Sequence, residues 1–115
     1  MQVEGAKEAN GTNAQQWGTI GDSIHDIWKL IDAGSGYYYL ISQIGDGKTC
    51  YLNVAENSTG NGTNIEINKY TGADSQKFYI TQNSDDSYNI KTIITNNGLA
   101  VEITHAGKGS SDNVQ

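Results

Sequence analysis

A chain of 115 residues, 36% hydrophobic, 17% charged and free of proline, is the size of one domain with a modest core, which excludes an enzyme built from two domains of ordinary size. Thirteen acidic residues against seven lysines leave a net charge of −6, and arginine is absent, so the basic stripes and guanidinium forks that read phosphate are missing and nucleic acid and anionic lipid are poor partners. No apolar run approaches the ~20 residues of a membrane-spanning helix, and Met1-Gln2-Val3-Glu4-Gly5 has neither the basic nor the apolar segment of a secretion signal.

In chain order, the first patterned segment, Ser23 to Ile31, is ambiguous. Its Ile24, Ile27, Trp28, Leu30 and Ile31 fit neither the helical nor the strand period cleanly. From Tyr37 onward the pattern is clear. Alternating or short apolar runs cover Tyr37 to Ser42, Thr49 to Val54, Asn64 to Ile67, Lys77 to Thr81, Tyr88 to Ile94 and Leu99 to Ile103. Turn signals separate them: Gly45-Asp46-Gly47, Gly60-Asn61-Gly62, Ser84-Asp85-Asp86-Ser87 and Asn96-Asn97-Gly98. Many short strands at close spacing predict an all-β sandwich or barrel. The ten aromatics inside these runs distinguish the chain from disordered sequences that share its Asn, Thr, Ser, Gln and Gly bias. Neutral hydrogen-bonding side chains beside aromatics suit a neutral polar ligand, such as a sugar, better than an ion. Cys50, alone and flanked by Thr49 and Tyr51 in a strand-like run, is expected to be a buried, unreactive thiol, and no Cys/His cluster points to zinc.

Internal similarity decides the architecture. Asn10-Gly11-Thr12-Asn13 returns unchanged as Asn61-Gly62-Thr63-Asn64, and more weakly as Ser110-Ser111-Asp112-Asn113. Each is followed by an apolar residue and then an acid or amide: Ala14-Gln15, Ile65-Glu66 and Val114-Gln115. Asp26-Ile27-Trp28-Lys29-Leu30 matches Gln76-Lys77-Phe78-Tyr79-Ile80, and Tyr38-Tyr39-Leu40 matches Tyr88-Asn89-Ile90. Val3-Glu4-Gly5, Leu52-Asn53-Val54 and Val101-Glu102-Ile103 align at a spacing of 49. Four marks in one order at about one period define a repeat of about 50 residues with four short strands per unit.

Four strands per repeat, a Leu-Asn-Val strand, a turn with Gly-Thr-Asn and a closing Gln-x-aromatic make the chain resemble the ricin-type β-trefoil lectins, a family that includes carbohydrate-binding modules attached to bacterial glycoside hydrolases. Gln76-Lys77-Phe78 approximates the Gln-x-Trp signature, whereas Asp26-Ile27-Trp28 lacks its Gln. The resemblance implies a single β-trefoil domain over residues 1–115, with a partial first repeat at 1–32, a second at 33–82 and a partial third at 83–115. Ten of the family's twelve strands are expected, leaving a trimmed domain, completion by another chain, or another arrangement as open alternatives. Trp28, Phe78, Tyr38 and Tyr88 are expected in the core.

The resemblance also implies where a ligand binds. A flat aromatic covers the apolar face of a pyranose, while carboxylates and amides bind its hydroxyls. In the first unit the matching positions are Glu4, Gln15, Trp17, His25 and Asp26, with Trp17 as the stacking platform. The alternative is that Trp17 plugs the hairpin layer while His25 and Asp26 cap a turn. In the second unit they are Asn53, Glu66, Asn68, Ser75 and Gln76. Here Asn68 occupies the platform position, so stacking falls to Tyr70 or is lost, and Gln76 is favoured as a turn-holding residue. The third unit contributes Glu102 and Gln115. Asp22, His25 and Asp26 lack the loop pattern of a hard-cation site, and Asp85-Asp86 sits on no cleft of the kind glycosidases use. No metal, no cofactor and no catalysis are expected. The implied role is non-catalytic binding of a neutral oligo- or polysaccharide containing galactose, xylose or arabinose, by a module of a larger secreted bacterial protein. A degenerate structural module, forming a homo-oligomer or strand-swapped assembly without binding sugar, is the alternative.

Overall fold

Alternating apolar residues punctuated by glycine and asparagine build a fold of short antiparallel strands. The structure, a computed structural model, describes residues 1–16, 24–94, 99–101 and 114–115. Within them lie β1 (Gln2–Val3), β2 (Ala14–Gln15), β3 (Trp28–Gly34), β4 (Tyr37–Ser42), β5 (Tyr51–Val54), β6 (Ile65–Asn68), β7 (Phe78–Gln82) and β8 (Tyr88–Thr92). β1 and β2 form one small sheet. In the larger one β6, β5, β4, β7 and β8 are successive neighbours, and β3 pairs with β4. The ambiguous segment resolves into two pieces: a 3₁₀ turn at Ile24–Asp26, then β3. That division explains why one period could not describe it. A matching 3₁₀ turn at Asp74–Gln76 leads into β7.

The repeat is visible in the pairing. β1–β2 and β5–β6 are one hairpin used twice, and β3–β4 and β7–β8 are another. The coordinates correct the register of the first. Val3 pairs with Ala14 as Val54 pairs with Ile65, and Gln2 pairs with Gln15 as Asn53 pairs with Glu66. The spacing from first to second unit is therefore 51 here, not 49, and Gln2 rather than Glu4 is the counterpart of Asn53. The turns that follow agree. The 3₁₀ turns Glu4–Ala6 and Ala55–Asn57 both run through two left-handed residues, Gly5 and Ala6 in one, Glu56 and Asn57 in the other. Non-glycine residues pay a steric cost for that conformation, so a turn repeated with it reports a constraint of the scaffold. Between the second and third units the spacing of 49 holds: Thr92 donates to the Leu99 carbonyl as Ser42 donates to that of Cys50.

Three equivalent residues meet in the core. The amide of Ile65 donates to Val114 and that of Val114 to Ala14, at 3.1 and 3.3 Å, and all three side chains are buried. Leu40, Leu52, Val54 and Phe78 complete this cluster. A second cluster joins Val3, Ile44, Cys50 and Ile67. Each large apolar side chain so enclosed stabilises the fold by about 1.5–3 kcal/mol. Cys50 is buried as expected, and desolvation pushes its thiol above the usual range.

The expected core is corrected at one end of the larger sheet. Phe78 is fully enclosed, but Trp28 and Tyr38 are only partly buried and Tyr88 is 62% exposed. The cause lies in the pairing. Tyr38 on β4 has Phe78 of β7 opposite it, whereas among the described residues the equivalent end of β8 has β7 on one side and no strand on the other. Trp28, Leu30, Leu40, Ile80, Tyr88 and Ile90 consequently line an open, apolar groove of ≈ 420 Å³, with Met1 and Asp26 at its rim.

Candidate functional site

β5 and β6 bring the second unit's predicted residues to one place. Leu52 and Val54 turn into the core, so Tyr51 and Asn53 lie on the opposite face of β5; on β6, Ile65 and Ile67 turn inward and Glu66 and Asn68 lie on the opposite face. The register sets Asn53 opposite Glu66 and Tyr51 opposite Asn68. The 3₁₀ turn at Asp74–Gln76 then supplies Ser75. Its Oγ donates to Asn53 Oδ1 at 2.8 Å, and Asn53 Nδ2 donates to Glu66 Oε1 at 3.4 Å. Asn53, 6% exposed, is held at both ends of its amide, which fixes the orientation of the carboxylate beside it.

The Glu66 carboxyl titrates above its usual range. Burial is the main cause, the Glu56 charge adds to it, and the hydrogen bond from Asn53 opposes it. The neighbouring unit closes one side. Gly11, in the turn Asn10-Gly11-Thr12-Asn13, donates from its amide to the Ile67 carbonyl at 2.8 Å, and a β-carbon at this position would come within 3.2 Å of Glu66 Oε2. With a φ of +85°, Gly11 suits both the turn and the close approach. The result is a shallow, half-buried acceptor with a fixed amide partner: a group that binds hydroxyls through charge-assisted hydrogen bonds.

Gln76 is fully buried. Its Oε1 accepts from the Thr71 amide at 2.9 Å and its Nε2 donates to the Lys69 carbonyl at 2.8 Å, so it holds the chain that follows β6. Asn68 is half-buried in β6 across from Tyr51. Tyr70 lies next to it in a cluster of three rings, 5.7 Å from Tyr39 and 5.4 Å from Tyr51 between centroids. The sequence reading missed Tyr39 and Tyr51 as neighbours of this site. The available signal was the shared parity of Tyr51 with Asn53.

The first unit is arranged differently. Gln15 is buried and pairs with Gln2, while Glu4 sits exposed in the 3₁₀ turn beyond the strand pair. Asp26 stands at the apolar groove, and His25 belongs to the same 3₁₀ turn. Trp17 and Glu102 lie outside the described residues. Gln115, the third unit's counterpart of Glu66, is half-buried, with Gly62 next to it as Gly11 is next to Glu66. A larger cleft of ≈ 600 Å³ lies between the Gly60-Asn61-Gly62 turn and Leu99 to Val101, away from the Asn53–Glu66–Ser75 group. Among the described residues no charged side chain lines it.

A family model described as ricin-type beta-trefoil lectin domain-like matches residues 1–68 and 25–115, two overlapping matches of the kind an internally repeated chain gives. The chain belongs to this family. Its fold, a β-trefoil with short strands and 3₁₀ turns, is shared by a designed three-fold symmetric protein, ThreeFoil, at 27% identity and a TM-score of 0.88, covering 98% of this chain and 76% of that one. A lectin of Polyporus squamosus, solved bound to the human-type influenza-binding epitope Neu5Aca2-6Galb1-4GlcNAc, matches at 27% identity and a TM-score of 0.63 over 80% of this chain and 31% of its own. A mosquitocidal holotoxin matches over 98% of this chain and 13% of its own at a TM-score of 0.83; at 13% identity it shows the fold alone. No curated protein matches the chain. Membership in this β-trefoil family, together with the lectin neighbour, supports a carbohydrate-binding role in general.

Proposed function

We propose that this ricin-type β-trefoil domain binds a neutral glycan without catalysis, through the Asn53–Glu66–Ser75 group of its second unit. The observation that carries the reading is the bonded set itself. Ser75 fixes Asn53, Asn53 fixes Glu66, and the half-buried carboxylate keeps acceptor capacity beyond the one bond it receives. Adjacent sugar hydroxyls, each donor and acceptor, complement an amide–carboxylate pair of this kind. A galactose-, xylose- or arabinose-containing chain fits the net charge of −6 better than an acidic glycan does. Binding at one shallow site is weak, and affinity comes from several sites or several domains of a larger secreted protein acting together.

Titration with oligomers of galactose, xylose and arabinose, followed by amide chemical shifts of Asn53, Glu66 and Ser75, tests this directly. Saturable shifts at those residues are expected with at least one sugar, and Asn53→Ala should abolish them. Equal shifts in that variant, or none with any sugar in the native chain, would reject the site.

A second reading has its own observation, the apolar groove beside β8. There a second copy of this chain would cover Leu30 and Tyr88 with an apolar strand face of its own, making the domain an assembly module. The mass in solution, by light scattering after size exclusion, separates the two readings. A fixed oligomer that becomes monomeric on Tyr88→Ser and ignores sugar supports assembly; a monomer that responds to sugar supports binding.

A further inference from the structure

Tyr70 is 57% exposed, yet the chain on both sides of it is tied down. On the N-terminal side, the Lys69 amide donates to Asn10 Oδ1 at 2.9 Å and the Lys69 carbonyl accepts from Gln76 Nε2 at 2.8 Å. On the C-terminal side, the Thr71 amide donates to Gln76 Oε1 at 2.9 Å. The ring stands at 89° to Tyr39 and 50° to Tyr51, and those two meet at 72° with their centroids 5.5 Å apart. A side-chain hydrogen bond between Tyr39 and Tyr70, the main cause, raises the Tyr39 phenol above its usual value. Gly72, beside the Tyr70 hydroxyl, turns the chain at a φ of +76° that favours glycine. An exposed tyrosine with no role would keep its rotameric freedom. Here the backbone on both sides is bonded and the ring packs against two others, an arrangement that lowers the entropy cost of stacking on it.

The tyrosines continue the face that carries the polar group. Tyr51 precedes Asn53 by two residues on β5, about 7 Å along the strand, and Tyr70 packs against Tyr51 on that side. This spacing is close to one sugar ring. We infer that Tyr70, backed by Tyr39 and Tyr51, is the platform of a second saccharide subsite beside Asn53–Glu66–Ser75, and that the ligand is a linear neutral oligosaccharide of at least two rings. One ring places its hydroxyls at the polar group and the next lays its apolar face on Tyr70. Gln76 is a positioning residue for that platform. The inference rests on the carbohydrate-binding reading above and adds to it the length of the ligand and a platform displaced from Asn68.

Calorimetric titration of the whole domain with the β-linked xylose and galactose series, from one to three rings, tests it. Adding the second ring should tighten binding about tenfold in the native chain, the scale of one aromatic contact with its buried area. Tyr70→Ala should lose that gain and keep the single-ring affinity. Tyr70→Phe should keep it, which shows that stacking and not the hydroxyl matters. Tyr70→Trp should keep it too and report the second ring by a shift in indole emission that a single ring does not produce. Single-ring binding with no gain from length, or a gain undiminished in Tyr70→Ala, overturns this inference and leaves the Asn53–Glu66–Ser75 site standing. No binding at any length overturns both.

Discussion

The first and second units place different chemistry on one backbone. Gln2 faces Gln15 across β1–β2 in the register in which Asn53 faces Glu66 across β5–β6, and both hairpins end in a 3₁₀ turn with two left-handed residues. Yet the first pair is made of two neutral amides, with Gln15 buried, and the second places a half-buried carboxylate under a fixed amide. Trefoil geometry thus provides equivalent positions, and only the side chains decide whether a position carries an acceptor strong enough to hold a hydroxyl. The turns preceding β3 and β7 repeat the lesson. Gln76 is buried and bonded to the chain on both sides of Tyr70, while Asp26, its counterpart, lies at the edge of an apolar groove.

Four substitutions, in two pairs, sharpen this contrast. The largest effect is expected at the closing aromatic. Phe78→Ala should cost about 3–5 kcal/mol in urea denaturation, the range for a fully enclosed aromatic, and Trp28→Ala clearly less, because Trp28 already borders solvent. Equal losses would show that the first unit is as well covered as the second. Next, Gln76→Ala should cost about 1–3 kcal/mol by leaving the Thr71 amide and the Lys69 carbonyl without their partner. Asp26→Ala should stay within about 0.5 kcal/mol, and thermal melts of the two variants side by side would decide it.

The smallest effect concerns Glu66 and carries a sign. Its pKa is raised in the fold, so the protonated form is favoured there, and the charge it carries at neutral pH opposes folding. Glu66→Gln should therefore melt slightly higher than the native chain at pH 7. That advantage should fade as the pH falls through the raised titration of Glu66, where the native side chain becomes neutral too. The same variant should bind glycan less well at pH 7, so gain in stability and loss of binding appear together. A variant less stable at pH 7 than at acid pH, relative to native, would contradict the desolvated carboxylate.

Much of this was legible in the sequence, for physical reasons. Alternating or short apolar runs marked β4, β5, β6, β7 and β8, and β6 shows the alternation in its burial: Ile65 and Ile67 are enclosed, Glu66 and Asn68 half-buried. The recurring Asn-Gly-Thr-Asn turn exposed the repeat, since Gly11 must both turn the chain and approach Glu66. Ser75 and Asn53 were named from the family pattern and do meet. Gln76 was expected to hold its turn, and it does so through the two bonds that flank Tyr70. What escaped was whatever depends on which strand lies beside which. The offset of the first unit was misjudged at Glu4 because a pattern of apolar–acid–small residues does not encode a pairing partner; Gln2 opposite Gln15 became visible only in the register. Tyr88 looked like Tyr38 in the sequence; residues 99–101 bond to the far end of β8, at Ile90 to Thr92, and among the described residues no strand lies on that side of Tyr88 itself. The gathering of Tyr39, Tyr51 and Tyr70 depends on β4, β5 and the segment after β6 converging, which no local pattern reports.

At the point where Ala14, Ile65 and Val114 meet, three equivalent positions of the repeat carry a small, a large and a medium side chain. Their volumes fit as a set. Three isoleucines would crowd that junction with methyl groups, and three alanines would leave it hollow. The three units are therefore tied at one point, where a change of volume in any one of them is felt by the other two.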